Sequence, residues 1–144
     1  MINIDFITPE EAAGLRKIVL RKNIDLPSVF EGDHDKDTFH LGLFYEKKLV
    51  SAVSFMKNRH PDLKGKQYQL RGMATLESFQ KKGYGKLLLE KAEMILKEKE
   101  TGLVWCNARV RATDFYKKQG FTIYGNEFDI PLIGGHFIMY KAIF

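Results

Sequence analysis

The residues whose types and spacing best suit chemistry are Gln80-Lys81-Lys82-Gly83-Tyr84-Gly85-Lys86, which lie between a strand-like segment ending Met73-Ala74-Thr75 and a helical pattern. Gly83 and Gly85 let the main chain approach a ligand closely, and the amides and dipole of a helix start attract an anion. Lys81, Lys82 and Lys86 add positive charge. The chemistry favoured is phosphate binding. Two common phosphate motifs are excluded: a Walker loop needs glycine where Gln80 stands and Ser or Thr where Leu87 stands, and the dinucleotide fingerprint needs a third glycine at Leu88. Other reactive types are isolated. Cys106 is the single cysteine, so no intrachain disulfide or cysteine zinc cluster can form, and no metal is expected. Set in an apolar run without an evident base, it reads as an inert thiol. His136 has a reference pKa of about 6.5, suitable for proton transfer, although a lone histidine at a strand edge is more often structural.

The elements that must position this turn follow from local patterns. Ile2, Ile4 and Phe6 alternate with Asn3 and Asp5, as in a half-buried strand. Thr8-Pro9-Glu10-Glu11 then supplies a capping hydroxyl, a first-turn proline and an acid three residues after the cap, predicting a helix that buries Leu15, Ile18 and Val19. The segment Glu31-Gly32-Asp33-His34-Asp35-Lys36-Asp37 is polar and aperiodic, hence a loop. Phe39–Tyr45 and Leu49–Met56, joined at Glu46-Lys47-Lys48, read as a hairpin. Gln67–Thr75 is a further strand in which Gly72 marks a bulge. Lys86–Lys99 carries Leu88, Leu89, Ala92, Ile95 and Leu96 at helical spacing, with Thr101-Gly102 as its stop. Leu103–Cys106 is continuously apolar and should be central in the sheet. Arg111–Gln119 predicts another helix, closed by Gly120, and Phe121–Tyr124 and His136–Ile143 predict two closing strands. The order is mixed α/β, in one domain spanning 1–144.

Composition narrows the class. The 144 residues are 44% hydrophobic and 28% charged, which excludes disordered and low-complexity architectures. Apolar runs such as Ile130–Ile133 fall far short of the roughly 18 residues of a membrane helix, and the start of the chain lacks the pattern of a secretory signal. A cytoplasmic location and no membrane partner are expected. The net charge of +5 suits an anionic small ligand or nucleic acid. Nucleic acid is disfavoured, because the basic residues are dispersed and neither a reader motif nor a stacking platform is evident. Asp33, Asp35 and Asp37 have calcium-loop spacing, but Thr38 and Phe44 occupy positions that would need glycine and glutamate.

Gln80-Lys81-Lys82-Gly83-Tyr84-Gly85, after a strand and before a helix, resembles the signature of the GNAT acetyltransferase superfamily. Ala112-Thr113-Asp114-Phe115-Tyr116-Lys117-Lys118-Gln119-Gly120-Phe121 is similar to a second family segment at the matching spacing, and Gly134–Tyr140 resembles the last strand of many members. The resemblance spans the chain. It implies a central mixed, mostly antiparallel sheet of six to seven strands flanked by helices, and acetyl transfer from acetyl-CoA to a primary amine of a small molecule or peptide. By position, Lys81, Lys82, Gly83, Tyr84, Gly85 and Lys86 would hold the pyrophosphate while Gln80 braces the turn. Met73 and Thr75 would offer backbone groups to the pantetheine arm, an amide near Met73 or Ala74 would stabilise the oxyanion, and Tyr116 would protonate the leaving thiolate.

The chain departs from the pattern at Arg109, where many members have asparagine; an asparagine stands instead at Asn107. Arg109 suits either an anionic ligand group or a plain surface position. No acid lies on Gln67–Thr75 to act as base, leaving His136, Glu77, a water chain or bulk solvent. Glu31, Asp33, Asp35 and Asp37 lie where the family often covers the acceptor; they would attract a cationic amine or remain as a solvated loop. The apolar tail Phe137–Phe144 suggests a pairing edge for a homodimer. The alternative function is an acyl-CoA sensor without turnover.

Overall fold

The computed structural model describes residues 1–143, so Phe144, the last residue of the expected pairing tail, lies outside the described residues. The chain begins with strand β1 (Ile2–Phe6), and helix α1 (Pro9–Val19) starts at the capping box: Thr8 Oγ1 accepts from the Glu11 amide at 3.0 Å and the Glu11 carboxylate accepts from the Thr8 amide at 2.9 Å. Strands β2 (Phe39–Tyr45) and β3 (Lys48–Met56) form the hairpin. Its two linking residues, Glu46 and Lys47, both have positive φ, as in a type I′ turn that matches strand twist. Then follow β4 (Gln67–Thr75), α2 (Tyr84–Glu98), β5 (Leu103–Arg109), a 3₁₀ turn at Val110–Ala112, α3 (Thr113–Lys118), β6 (Thr122–Ile130) and β7 (Gly134–Ala142). Among the described residues no helix is long and apolar enough to cross a membrane.

The seven strands form one sheet in the order β1-β2-β3-β4-β5-β7-β6, antiparallel except for β4 against β5. Neighbouring residues of β3 point to opposite faces. Val53 joins the larger core, where Leu88, Leu89, Ala92 and Leu96 of α2 pack on the sheet, whereas Ala52 joins a smaller cluster with Ala12 and Leu15 of α1. The two long helices therefore cover opposite faces.

Several details differ from the sequence expectations. Ile18 is 63% exposed, because α1 turns Ala12, Leu15 and Arg16 toward the sheet. The predicted helix over 111–119 is divided between the 3₁₀ turn and α3. The left-handed residue after α2 is Glu100, with φ 57°, and not Gly102. Strand β6 runs on to Ile130 past a register shift between Tyr124 and Phe128. The tail at Phe137 onward is no free edge: β7 is hydrogen-bonded to β5 on one side and β6 on the other.

Candidate functional site

Strand β4 carries the irregularity that shapes the site. Ser54 faces Arg71 and Ala52 faces Ala74, so Gly72 and Met73 together oppose the single residue Val53. This is a bulge, with Gly72 at φ 63°. A Cβ on Gly72 would lie 2.6 Å from the Arg16 side chain, so glycine is required by both backbone and space. By the bulge, β4 has already left β5. The two strands pair only at Gln67–Leu103, Tyr68–Val104 and Gln69–Trp105, while β4 runs on to Thr75 and β5 to Arg109.

The backbone around this gap has a defined polarity. Leu76 donates its amide to the Val50 carbonyl of β3 at 2.8 Å. Antiparallel alternation then turns the main-chain groups of Ala74 toward β3 and those of Met73 and Thr75 toward the gap. Ala74 thus does not fit its expected oxyanion or ligand role: its backbone faces β3, and its side chain is buried against Ala12 and Leu15. Gln80 Nε2 donates to the Thr75 carbonyl at 2.9 Å, tying the following turn to the end of β4.

The turn itself is rich in free donors. Lys81 has φ 62° and Gly83 has φ 82°, and no side chain caps the start of α2. The first helical amide to reach a carbonyl is that of Leu87, which donates to Gly83. Among the described residues the amides of Lys81, Lys82, Gly83, Tyr84, Gly85 and Lys86 reach no protein acceptor. Nothing lies within 4 Å of a Cβ placed on Gly83, and Lys81, Lys82 and Lys86 are exposed around it. Six free amides, open space and three ammonium groups fit a diphosphate. On the inner side of the turn, a Cβ on Gly85 would lie 3.0 Å from the Phe115 ring and 3.9 Å from Met73 Sδ, so α2 packs closely against α3 and β4 there.

Tyr116 is buried on α3, edge-on to Phe115 at 5.2 Å and to Phe121 at 5.3 Å between ring centroids. Its hydroxyl has no protein hydrogen-bond partner among the described residues. Burial, with a smaller contribution from neighbouring Cys106, raises its pKa well above the ordinary tyrosine value, so the phenol keeps its proton. Burial likewise raises the Cys106 pKa, which agrees with an inert thiol.

Other sequence candidates are placed elsewhere. His136 is buried within β7, with Nδ1 2.7 Å from the Gly134 carbonyl, and opposite Arg109 in the register. It stands on an internal strand, not an edge. Glu77 is exposed in the 3₁₀ turn after β4. The acidic loop is not a uniform negative surface. Asp33 is only 2% exposed and its carboxylate binds Arg16 at 2.7 and 3.0 Å. Burial alone would raise the Asp33 pKa, but hydrogen bonds from Arg16 and the Phe30 amide hold it below the ordinary value. Asp37 lies 4.0 Å from Lys57.

The comparisons agree with this geometry. The model of the acetyltransferase (GNAT) family matches residues 6–121. The chain is 38% identical over 99% of its length to an uncharacterized N-acetyltransferase, YitI of Bacillus subtilis, of which the match covers 97%. Among solved structures, Escherichia coli ElaA superposes with a TM-score of 0.81 at 18% identity, covering 98% of this chain and 99% of that one. An aminoglycoside 6'-N-acetyltransferase complexed with coenzyme A superposes with a TM-score of 0.78 at 12% identity, covering 99% of this chain and 97% of that one. Sequence match, sheet order and site geometry converge: this chain belongs to the acetyltransferase (GNAT) family and is an acyltransferase.

Proposed function

We propose that the chain transfers an acetyl group from acetyl-CoA to a primary amine by direct attack within a ternary complex. The observation that carries this reading is the juxtaposition of two features: the turn at 81–86 with its free amides, and the gap between β4 and β5 that begins beside it. Coenzyme A bound to a similar fold in the aminoglycoside acetyltransferase supports the choice of donor.

In this reading the amides of Lys81 to Lys86 hold the diphosphate, with their lysine ammonium groups adding charge. Met73 and Thr75 hydrogen-bond the pantetheine amides in the manner of an added strand. Bound acetyl-CoA supplies the thioester carbonyl. The Met73 amide, turned into the gap, stabilises negative charge on that carbonyl oxygen as the amine nitrogen bonds to its carbon. The carbon–sulfur bond then breaks and the Tyr116 hydroxyl gives its proton to sulfur, while the ammonium proton of the new amide leaves to solvent. Tyr116 recovers a proton from water.

Free-thiol release from acetyl-CoA in the presence of amines tests this. Tyr116→Phe should lower kcat by ~10- to 100-fold with acetyl-CoA affinity retained. An unchanged kcat removes Tyr116 as the acid. Because its pKa is raised, loss of the Tyr116 proton should produce no falling limb below about pH 10 in the rate profile. The rate should instead climb as the acceptor amine deprotonates. Donor binding without turnover on any amine would favour the sensor reading.

A further inference from the structure

The face of the sheet that carries α1 meets the parting of β4 and β5 with a group of arginines. Arg71, immediately before the bulge, stacks its guanidinium 4.3 Å from the centre of the Phe30 ring. Arg16 and Arg21 lie over the same ring at 4.0 and 5.4 Å. Arg21 Nη1 and Arg109 Nη2 converge on one carbonyl, that of Leu20 at the end of α1, through long contacts of 3.4 and 3.5 Å. Arg109 closes β5 and lines an open cleft of ≈ 620 Å³ together with Lys22, Arg111, Leu20, Ile24 and Ile133.

These guanidiniums differ in how they are neutralised. Arg16 is 1% exposed and satisfied by the Asp33 carboxylate, the Ser28 carbonyl and Ser54 Oγ, with only its Nε left over. Arg71 is half-buried, and among the described residues it makes no hydrogen bond and no ion pair. Among the described residues Arg109 has only the long Leu20 contact as a hydrogen bond. Glu31, whose charge acts on Arg71 alongside that of the engaged Asp33, is exposed and forms no ion pair among the described residues. Burial first, and repulsion from neighbouring guanidiniums second, lowers the pKa of Arg21, Arg71 and Arg109, with Asp33 and Glu31 opposing the shift at Arg71.

Position gives the cluster a use. Arg71 lies two residues before Met73, about 7 Å along the strand. Cys106 and Ala108 face the α2 core, so alternation places Arg109 on the α1 face, the face toward which Arg71 also points. The two arginines thus stand on one face of the sheet, on the two strands that part.

We propose that the acceptor is an amine bearing an anionic oxyacid group, a carboxylate or a phosphate monoester, which Arg71 and Arg109 bind while its amine reaches the gap at Met73. This deepens the acetyl-transfer reading and rests on it. It also reverses the polarity suggested by the acidic loop: Asp33 serves Arg16, and the uncompensated charge facing the acceptor is positive. A planar guanidinium matches a carboxylate or phosphate by two parallel hydrogen bonds, and at a half-buried site the pair strengthens.

The test compares matched acceptors by thiol release with acetyl-CoA: each proteinogenic amino acid against its decarboxylated amine, and O-phosphoethanolamine against ethanolamine. At least one oxyanion-bearing member should exceed its partner lacking that group in kcat/KM by roughly 100-fold, and the arm in which this occurs identifies carboxylate or phosphate. Arg71→Gln should bring that selectivity ratio toward one through the acceptor KM, with Arg71→Lys intermediate and acetyl-CoA affinity retained. Should Arg71→Gln fold poorly, Arg109→Gln supplies the same readout from the other strand. Preference for the amines lacking the oxyanion, no turnover of any oxyanion-bearing acceptor by donor-loaded protein, or an unchanged ratio in both glutamine variants overturns the proposal. Failure to bind acetyl-CoA at all, by calorimetry, removes the donor reading and this one with it.

Discussion

The starts of α1 and α2 are built on opposite plans. At α1, Thr8 and Glu11 satisfy each other's amides and Pro9 removes a donor, so the helix is closed by its own sequence. At α2, Gly83 supplies no cap and the amides from Lys81 to Lys86 are left free among the described residues. The same contrast separates Arg16, held by Asp33, Ser28 and Ser54, from Arg71, which has no such partners among the described residues. Closed polar groups hold the fold together. Open ones at the α2 turn are the groups that the proposed function assigns to a ligand.

The largest expected effect tests the closed side. Asp33→Asn leaves the Arg16 guanidinium buried without a counter-charge and should cost about 3–5 kcal/mol of stability in denaturant unfolding. A loss under 1 kcal/mol would mean that the pair is not a structural element. The wild-type pair also has a pH signature. Since the folded pKa of Asp33 is depressed, its contribution is present above the unfolded carboxylate pKa and is lost as pH falls through the folded value. Asp33→Asn should therefore flatten stability below about pH 4.

Next is the open side. Gly83→Trp places a ring in the free space over the amides and should weaken acetyl-CoA binding by about 100-fold, the loss of two or so charge-assisted hydrogen bonds, while circular dichroism remains native. Normal affinity would remove the turn from the binding site. The smallest effect sharpens the contrast between the helix starts. Thr8→Ala should cost about 1 kcal/mol of stability and leave acetyl-CoA affinity unchanged, because the α1 start is a cap and not a ligand site.

Much of this was legible locally. The capping box and hairpin appear where the sequence placed them, because their determinants lie within a few residues. The bulge at Gly72 was legible too, since a glycine inside a strand pattern has few other uses. Reading failed where the partner was distant. Ile18 has helical spacing, yet the face that α1 buries was decided by β3 and β4. Asp33 looked solvated among its acidic neighbours, and only the approach of Arg16, 17 residues away, buries it. Arg71 was overlooked as one basic residue among many. The one charged side chain of Gln67–Thr75, next to the bulge glycine, was the signal that could have drawn attention to it.

The sequence by itself determined the helix and strand types, the uncapped glycine turn before α2 and the family, because periodicity, caps and glycine positions act over short range. The tertiary structure alone decided which charges are spent and which are free. Asp33 and Arg16 neutralise each other only when α1 docks, and Arg71 and Arg109, 38 positions apart, come to stand on one face of two adjacent strands only because β5 lies beside β4 and then parts from it. Electrostatic pairing depends on distance and burial in three dimensions, and neither is written in the order of the residues.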